Sequence, residues 1–70
     1  VYTKVMEFGK RFKKYRLENN MTQVEVAKLI GIDQTNISNW ENDKTRPEYE
    51  NLIKLSQIYD VSIDELLGVD

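Results

Sequence analysis

Residues 22–42 read TQVEVAKLIGIDQTNISNWEN, and the periodicity of this stretch decides how the rest of the chain is organised. On a helical wheel started at Gln23, Val26, Ala27, Leu29 and Ile30 fall on one side and Val24, Glu25 and Lys28 on the other, which predicts an amphipathic helix over 23–30. Thr22 followed three residues on by Glu25 is a capping-box start, in which hydroxyl and carboxylate satisfy orphan backbone donors. Gly31 is a natural stop, because it can take a positive φ without steric cost. Asp33 is a good N-cap for a second helix. On that helix Ile37 and Trp40 share a face with Glu41 beside Ile37, while Gln34, Thr35, Ser38, Asn39 and Asn42 occupy the opposite arc.

A solvated helix face is usually rich in Lys and Glu, but this arc carries amides and hydroxyls, which hydrogen-bond in both directions without charge. Such groups suit base edges: glutamine or asparagine pairs with adenine N6 and N7 in the major groove, and serine or threonine with several edges. The alternative, that these are capping and surface residues, leaves the absence of charge along the arc unexplained. The spacing is a second signal. Small Ala27 sits where two helices approach, Gly31 follows at the turn, and Ile37 faces back into the pair, the pattern of a helix-turn-helix.

Upstream, residues 3–19 read as a first helix with Phe8, Phe12, Tyr15 and Arg16 in one stripe. Arg16 is a charge aimed near the core, and desolvating it unpaired costs several kcal/mol. Glu41, facing inward from the third helix, is the partner the wheel offers. The cluster Lys10, Arg11, Lys13 and Lys14 reads as a solvated face. Asn20 is suited to a left-handed helix stop, and Met21 then enters the core. Downstream, Pro47 suits the first turn of a fourth helix. Tyr49, Leu52, Ile53, Leu55, Ser56 and Tyr59 share its core face, with Ile58 opposite. Ser62 and Glu65 form another capping box, opening a fifth helix that stops at Gly68. Ile63, Leu66 and Leu67 crowd its two turns, leaving apolar surface that suits either a homodimer contact or closure of the core. Trp40 reads as core, since an aromatic at helical spacing beside Ile37 packs more often than it stacks on a base.

Seventy residues make one small domain, whose folding buries roughly 60% of the surface the unfolded chain exposes. With no cysteine and no histidine, the chain offers no disulfide, no thiolate nucleophile and no probable zinc site, and no cofactor or metal is expected. Scattered carboxylates without a nucleophile and base pair argue against an enzyme. No apolar run approaches a membrane-spanning length and no signal-peptide pattern opens the chain, so a cytoplasmic protein with no membrane association is expected. The net charge of −2 is unevenly spread. Residues 1–46 hold nine Lys or Arg against six acids, a balance of +3, whereas residues 47–70 hold one lysine against six acids, a balance of −5. A positive N-terminal portion would orient the molecule on a polyanion.

From Phe8 to Gly68 the segments FGKRFKKYR, TQVEVAKLIG, QTNISNWEN, KTRP and VSIDELLG stand in the order seen in the Cro and phage-repressor type of helix-turn-helix family, often called XRE-type, which this chain resembles. The resemblance implies an all-α fold: a compact, lambda-repressor-like bundle of five short helices, with helices 2 and 3 as the helix-turn-helix and residues 1–70 as a single DNA-binding domain. It implies that Gln34, Thr35 and Asn39 read bases, with Ser38 a secondary reader, and that Gln23, Asn36, Asn42, Lys44 and Arg46 meet the phosphate backbone. Gln23 matches a position that also braces the recognition helix. Arg16 and Glu41 match an ion pair tying the first helix to the third; Ala27, Gly31, Ile37 and Trp40 are structural. Asp33, where the family tends to carry Ser or Thr, and Asp43, where glycine is common, depart from the pattern, and both would bring negative charge near phosphates. The function implied is a sequence-specific transcriptional regulator, a repressor, bound as a homodimer through its C-terminal helices to a palindromic operator in double-stranded DNA. Antitoxins, phage immunity repressors and restriction-modification control proteins share the family. The competing reading is a protein-interaction module, or antitoxin-like partner-binding protein, that keeps the fold and uses its acidic C-terminal part.

Overall fold

Five helices account for almost all of the regular structure in the computed structural model, which describes residues 8–69: α1 (Phe8–Glu18), α2 (Gln23–Ile30), α3 (Gln34–Glu41), α4 (Tyr49–Tyr59) and α5 (Ile63–Leu67). The expected beginning of the first helix at residue 3 lies outside the described residues. Each corner is set locally. Thr22 and Ser62 cap α2 and α5 with complete capping boxes, their hydroxyls accepting from Glu25 N and Glu65 N. Asp33 caps α3 by accepting from Thr35 N at 2.8 Å. Asn20, Gly31, Asp43, Asp60 and Gly68 then turn the chain with positive φ beyond each helix in order. Nothing lies within 4 Å of where a Cβ on Gly31 would stand, so that glycine answers to conformation (φ 90°) and not to crowding.

The helix-turn-helix pair α2 and α3 packs together, α3 also lies against α1, α4 against α2, and α5 against both α1 and α4. Phe12, Val26, Ala27, Ile30, Ile37, Trp40, Leu55, Tyr59 and Leu66 make one continuous core across all five helices. Full burial of an aliphatic side chain contributes about 1.5–3 kcal/mol, and Val26, Ile37, Leu55 and Leu66 are the most completely enclosed. Ala27, buried at the α2–α3 contact, allows the close approach its size suggested. Trp40 is core, as read.

The structure departs from the sequence reading at several places. Leu29 is 61% exposed, because Val26, Ala27 and Ile30 already define the inward direction and Leu29 lies roughly 100° from their mean. Pro47 stands outside α4, not in its first turn: Glu48 takes the N-cap backbone conformation and Pro47, one residue earlier, is buried. Tyr49 is 70% exposed and Ile58 packs on the core, the reverse of their expected faces. α5 folds against α4, and Val61 and Leu67 pack with Ile58, whereas the first turn at Tyr49 has no such cover. Leu66 is fully buried and Leu67 packs on the core, so α5 leaves less apolar surface than its composition suggested. No helix among the described residues is long and apolar enough to cross a membrane.

Candidate nucleic-acid interface

The outward face of α3 begins at its cap. Gln34, Thr35 and Asn36 are exposed on its first turn, and Ser38 and Asn39, one turn on, are half-buried. The helix carries no acidic residue in its first turn and no basic residue in its last, so its outward row is uncharged. Asp33, just before it, is engaged by the Thr35 N–H, and that bond holds its carboxyl below the usual range. Asn36 Nδ2 turns back to Asp33 O at 3.4 Å, and Asn42 Nδ2 donates to Ser38 O at 2.8 Å, closing the other end of the helix.

Behind this row lies a chain of directional bonds. The Arg16 guanidinium, 7% exposed, donates through Nε to Glu41 Oε2 at 2.6 Å, through Nη2 to Oε1 at 3.0 Å and through Nη1 to Met21 O at 2.8 Å. The ion pair inferred from the sequence is therefore formed, and a backbone carbonyl satisfies the remaining arm. The bond to Glu41 raises the arginine pKa against the opposing effect of burial, so the guanidinium stays charged. Burial, aided by the nearby Glu41 charge, pushes the Tyr59 phenol well above its usual pKa, keeping it neutral beside the pair. Glu41 Oε1 also accepts from Gln23 Nε2 at 3.0 Å, and Gln23 Oε1 accepts from Gln34 Nε2 at 2.8 Å. Four residues from three helices thus run from the core to the first outward side chain of α3.

Two further contacts were not foreseen. Gly9 lets α1 press against the end of α3: a Cβ there would stand 2.3 Å from Glu41 O and 2.8 Å from Trp40 O. Asp43, expected to carry its charge toward phosphates, instead accepts from Gly9 N at 3.0 Å, turned toward α1. A glycine in a helix, costing about 1 kcal/mol against alanine, was the available signal for the first contact. The second joins residues 34 apart and leaves no local trace. Lys44, Thr45 and Arg46 are exposed on the loop after α3, and the Arg46 guanidinium stands 5.5 Å from the centre of the Phe8 ring. In the lysine cluster Arg11 is tied down, donating to Glu65 O at 3.0 Å, while Lys10, Lys13 and Lys14 are exposed, as a solvated face requires.

A capped helix pair turned at a left-handed glycine, with an uncharged polar row on the second helix and its first residue braced by the helix before, defines a helix-turn-helix domain. The chain belongs to the helix-turn-helix family, whose model matches residues 12–66. It is 45% identical over 65 residues to the transcriptional regulator ImmR of Bacillus subtilis, covering 93% of this chain and 51% of that protein. The chain thus spans about half the length of that curated relative. Among solved structures it resembles the c2 repressor of Salmonella phage P22 in complex with a synthetic operator, at 35% identity and TM-score 0.83, covering 90% of this chain and 96% of the solved one. It also resembles the restriction-modification controller protein C.AhdI of Aeromonas hydrophila, at 26% identity and TM-score 0.81, covering 93% and 98%. The fold is that of repressor domains, and the named relatives are transcriptional regulators.

Proposed function

We propose that this domain binds double-stranded DNA sequence-specifically as a repressor of transcription in the cytoplasm, laying α3 in the major groove. The observation that carries the reading is the uncharged row Gln34, Thr35, Ser38 and Asn39 on the outward side of α3, held in register from behind by Gln23. Amides and hydroxyls there match base edges, and the supported first turn keeps the donors and acceptors in one place. Gln23, Asn36, Asn42, Lys44 and Arg46 flank the row and supply phosphate contacts, which position the domain without reading sequence. Asn42 does so with its remaining amide hydrogen, since the other caps α3. The turn of Asp43 toward Gly9 removes one obstacle to phosphate approach. The mechanism is occupancy of the operator and involves no chemistry.

The regulator acts as a homodimer through its C-terminal helices, on half-sites about one helical turn, roughly 34 Å, apart. Half-buried Ile63 and exposed Val69 offer apolar surface at that end. Selection of bound duplexes from a random pool at near-physiological salt, with competitor DNA, tests this. An inverted repeat is expected. A single half-site would remove the dimer, and folded protein that enriches nothing would remove the DNA reading. The −5 balance of residues 47–70 then favours a protein-binding role, shown by salt-insensitive capture of a partner.

A further inference from the structure

We infer that Glu41, acting through Gln23, sets which way round the Gln34 amide faces a base, and is therefore a specificity-determining positioning residue; this rests on the base-reading role proposed for Gln34. A carboxylate only accepts hydrogen bonds, whereas a glutamine amide has a donor end and an acceptor end and can turn over. Arg16 occupies both oxygens of Glu41 and holds the carboxylate still. The Gln23 amide beside it has one favourable direction: Nε2 toward Glu41 at 3.0 Å, because the opposite direction sets oxygen against oxygen. That leaves Gln23 Oε1 toward α3, and only the Nε2 end of Gln34 can answer it, as it does at 2.8 Å. The polarity of a buried charge is passed along two amides to the surface. Gln34 is left with one N–H and its Oε1 side by side, the complement of adenine N7 and N6–H. Turned over, the amide would bring its oxygen toward N7 and its NH2 toward the O6 of a guanine. The direction of the chain thus selects adenine and opposes guanine.

The test uses competition binding to the operator recovered by wild-type selection and to duplexes altered one base pair at a time. Gln34→Ala locates the base pair that Gln34 reads, which is expected to be A·T. Glu41→Gln keeps the shape but lets the amides turn; because it also weakens the pair with Arg16, Gln23→Leu serves beside it, leaving Arg16 and Glu41 joined. Both variants are checked for folding by circular dichroism, and Gln23→Leu decides if Glu41→Gln does not fold. The expected result for Gln23→Leu is a loss of about tenfold in the preference for adenine over guanine at that base pair. The preference at the base pair read by Asn39 stays unchanged. A role of Gln23 in phosphate binding or stability alone would weaken all duplexes alike and leave both ratios as they were, which would overturn the inference while the base-reading role stood. A G·C pair at the Gln34 position would overturn it as well. No operator from folded wild-type protein, or no base pair sensitive to Gln34→Ala, would overturn the proposed reading, and this inference with it.

Discussion

The α1–α3 seam and the α4–α5 seam are both closed, but different forces close them. At the first, Gly9 brings backbone against backbone and the buried Arg16–Glu41 pair spans the two helices with paired hydrogen bonds. At the second, Leu55, Tyr59 and Leu66 exclude water, and non-directional apolar burial supplies most of the attraction. Apolar burial tolerates a helix that slides or rotates slightly; bidentate bonds do not. The directional seam lies behind the outward row of α3, where small errors of angle would matter most. The apolar seam lies where only closure is needed.

The strongest way to break this contrast is Glu41→Ala. Leaving the Arg16 guanidinium buried without its carboxylate should cost about 3–5 kcal/mol in urea unfolding, while the paired replacement Arg16→Met with Glu41→Leu should recover most of it. A single-variant cost below about 1 kcal/mol would mean the pair behaves as a surface ion pair does. Next comes the apolar seam: Leu66→Ala should cost about 2–5 kcal/mol by the same assay, with base preference per folded molecule unchanged. Altered preference would show that α5 also sets the angle of α3. Smaller again is Gly9→Ala, where the added methyl must push α1 away from Glu41 O, at about 1–3 kcal/mol. Full stability there would place the seam farther apart than described.

The mildest effect distinguishes two caps by acidity. Asp33 has its pKa depressed below the ordinary 3.8 by the bond from Thr35, so its contribution is present above that value and fades as the pH falls through the lower, folded-state value. Ser62 does not titrate, and Ser62→Ala should cost about 1 kcal/mol at any pH. Thermal unfolding of Asp33→Ser and the parent between neutral pH and pH 3 should show the variant losing less stability with acid. Parallel curves would remove the assignment.

Features legible in the sequence were those decided within one turn of helix. Thr22 with Glu25, Asp33, and Ser62 with Glu65 announced their helices because a cap is a contact between residues two or three apart. Arg16 and Glu41 were legible because a charge on an apolar stripe needs a partner, and α3 presented one facing inward. Tyr49 and Ile58 were not, since both lie at the margins of α4's apolar arc and only the direction in which α5 folds decides which margin is covered. Gly9 against Glu41 and Asp43 against Gly9 depend on the distance between helices, which no local pattern encodes. For the candidate interface, the residue types on the outward row were readable; the bond from Gln23 Nε2 to Glu41, and hence the direction of the amides, required the packed arrangement.

The left-handed residues at Asn20, Gly31, Asp43, Asp60 and Gly68 bear on how quickly the protein folds. Each change of direction is settled by a residue at the corner and, at α2, α3 and α5, by a cap two or three residues from its partner. The unfolded chain therefore need not search for its corners by long excursions, and only docking of short helices remains. Topologies dominated by such near-neighbour contacts cross their folding barrier in about microseconds to milliseconds. For a domain of this size, that shortens the interval in which Leu66, Trp40 and the rest of the core stand open to other chains.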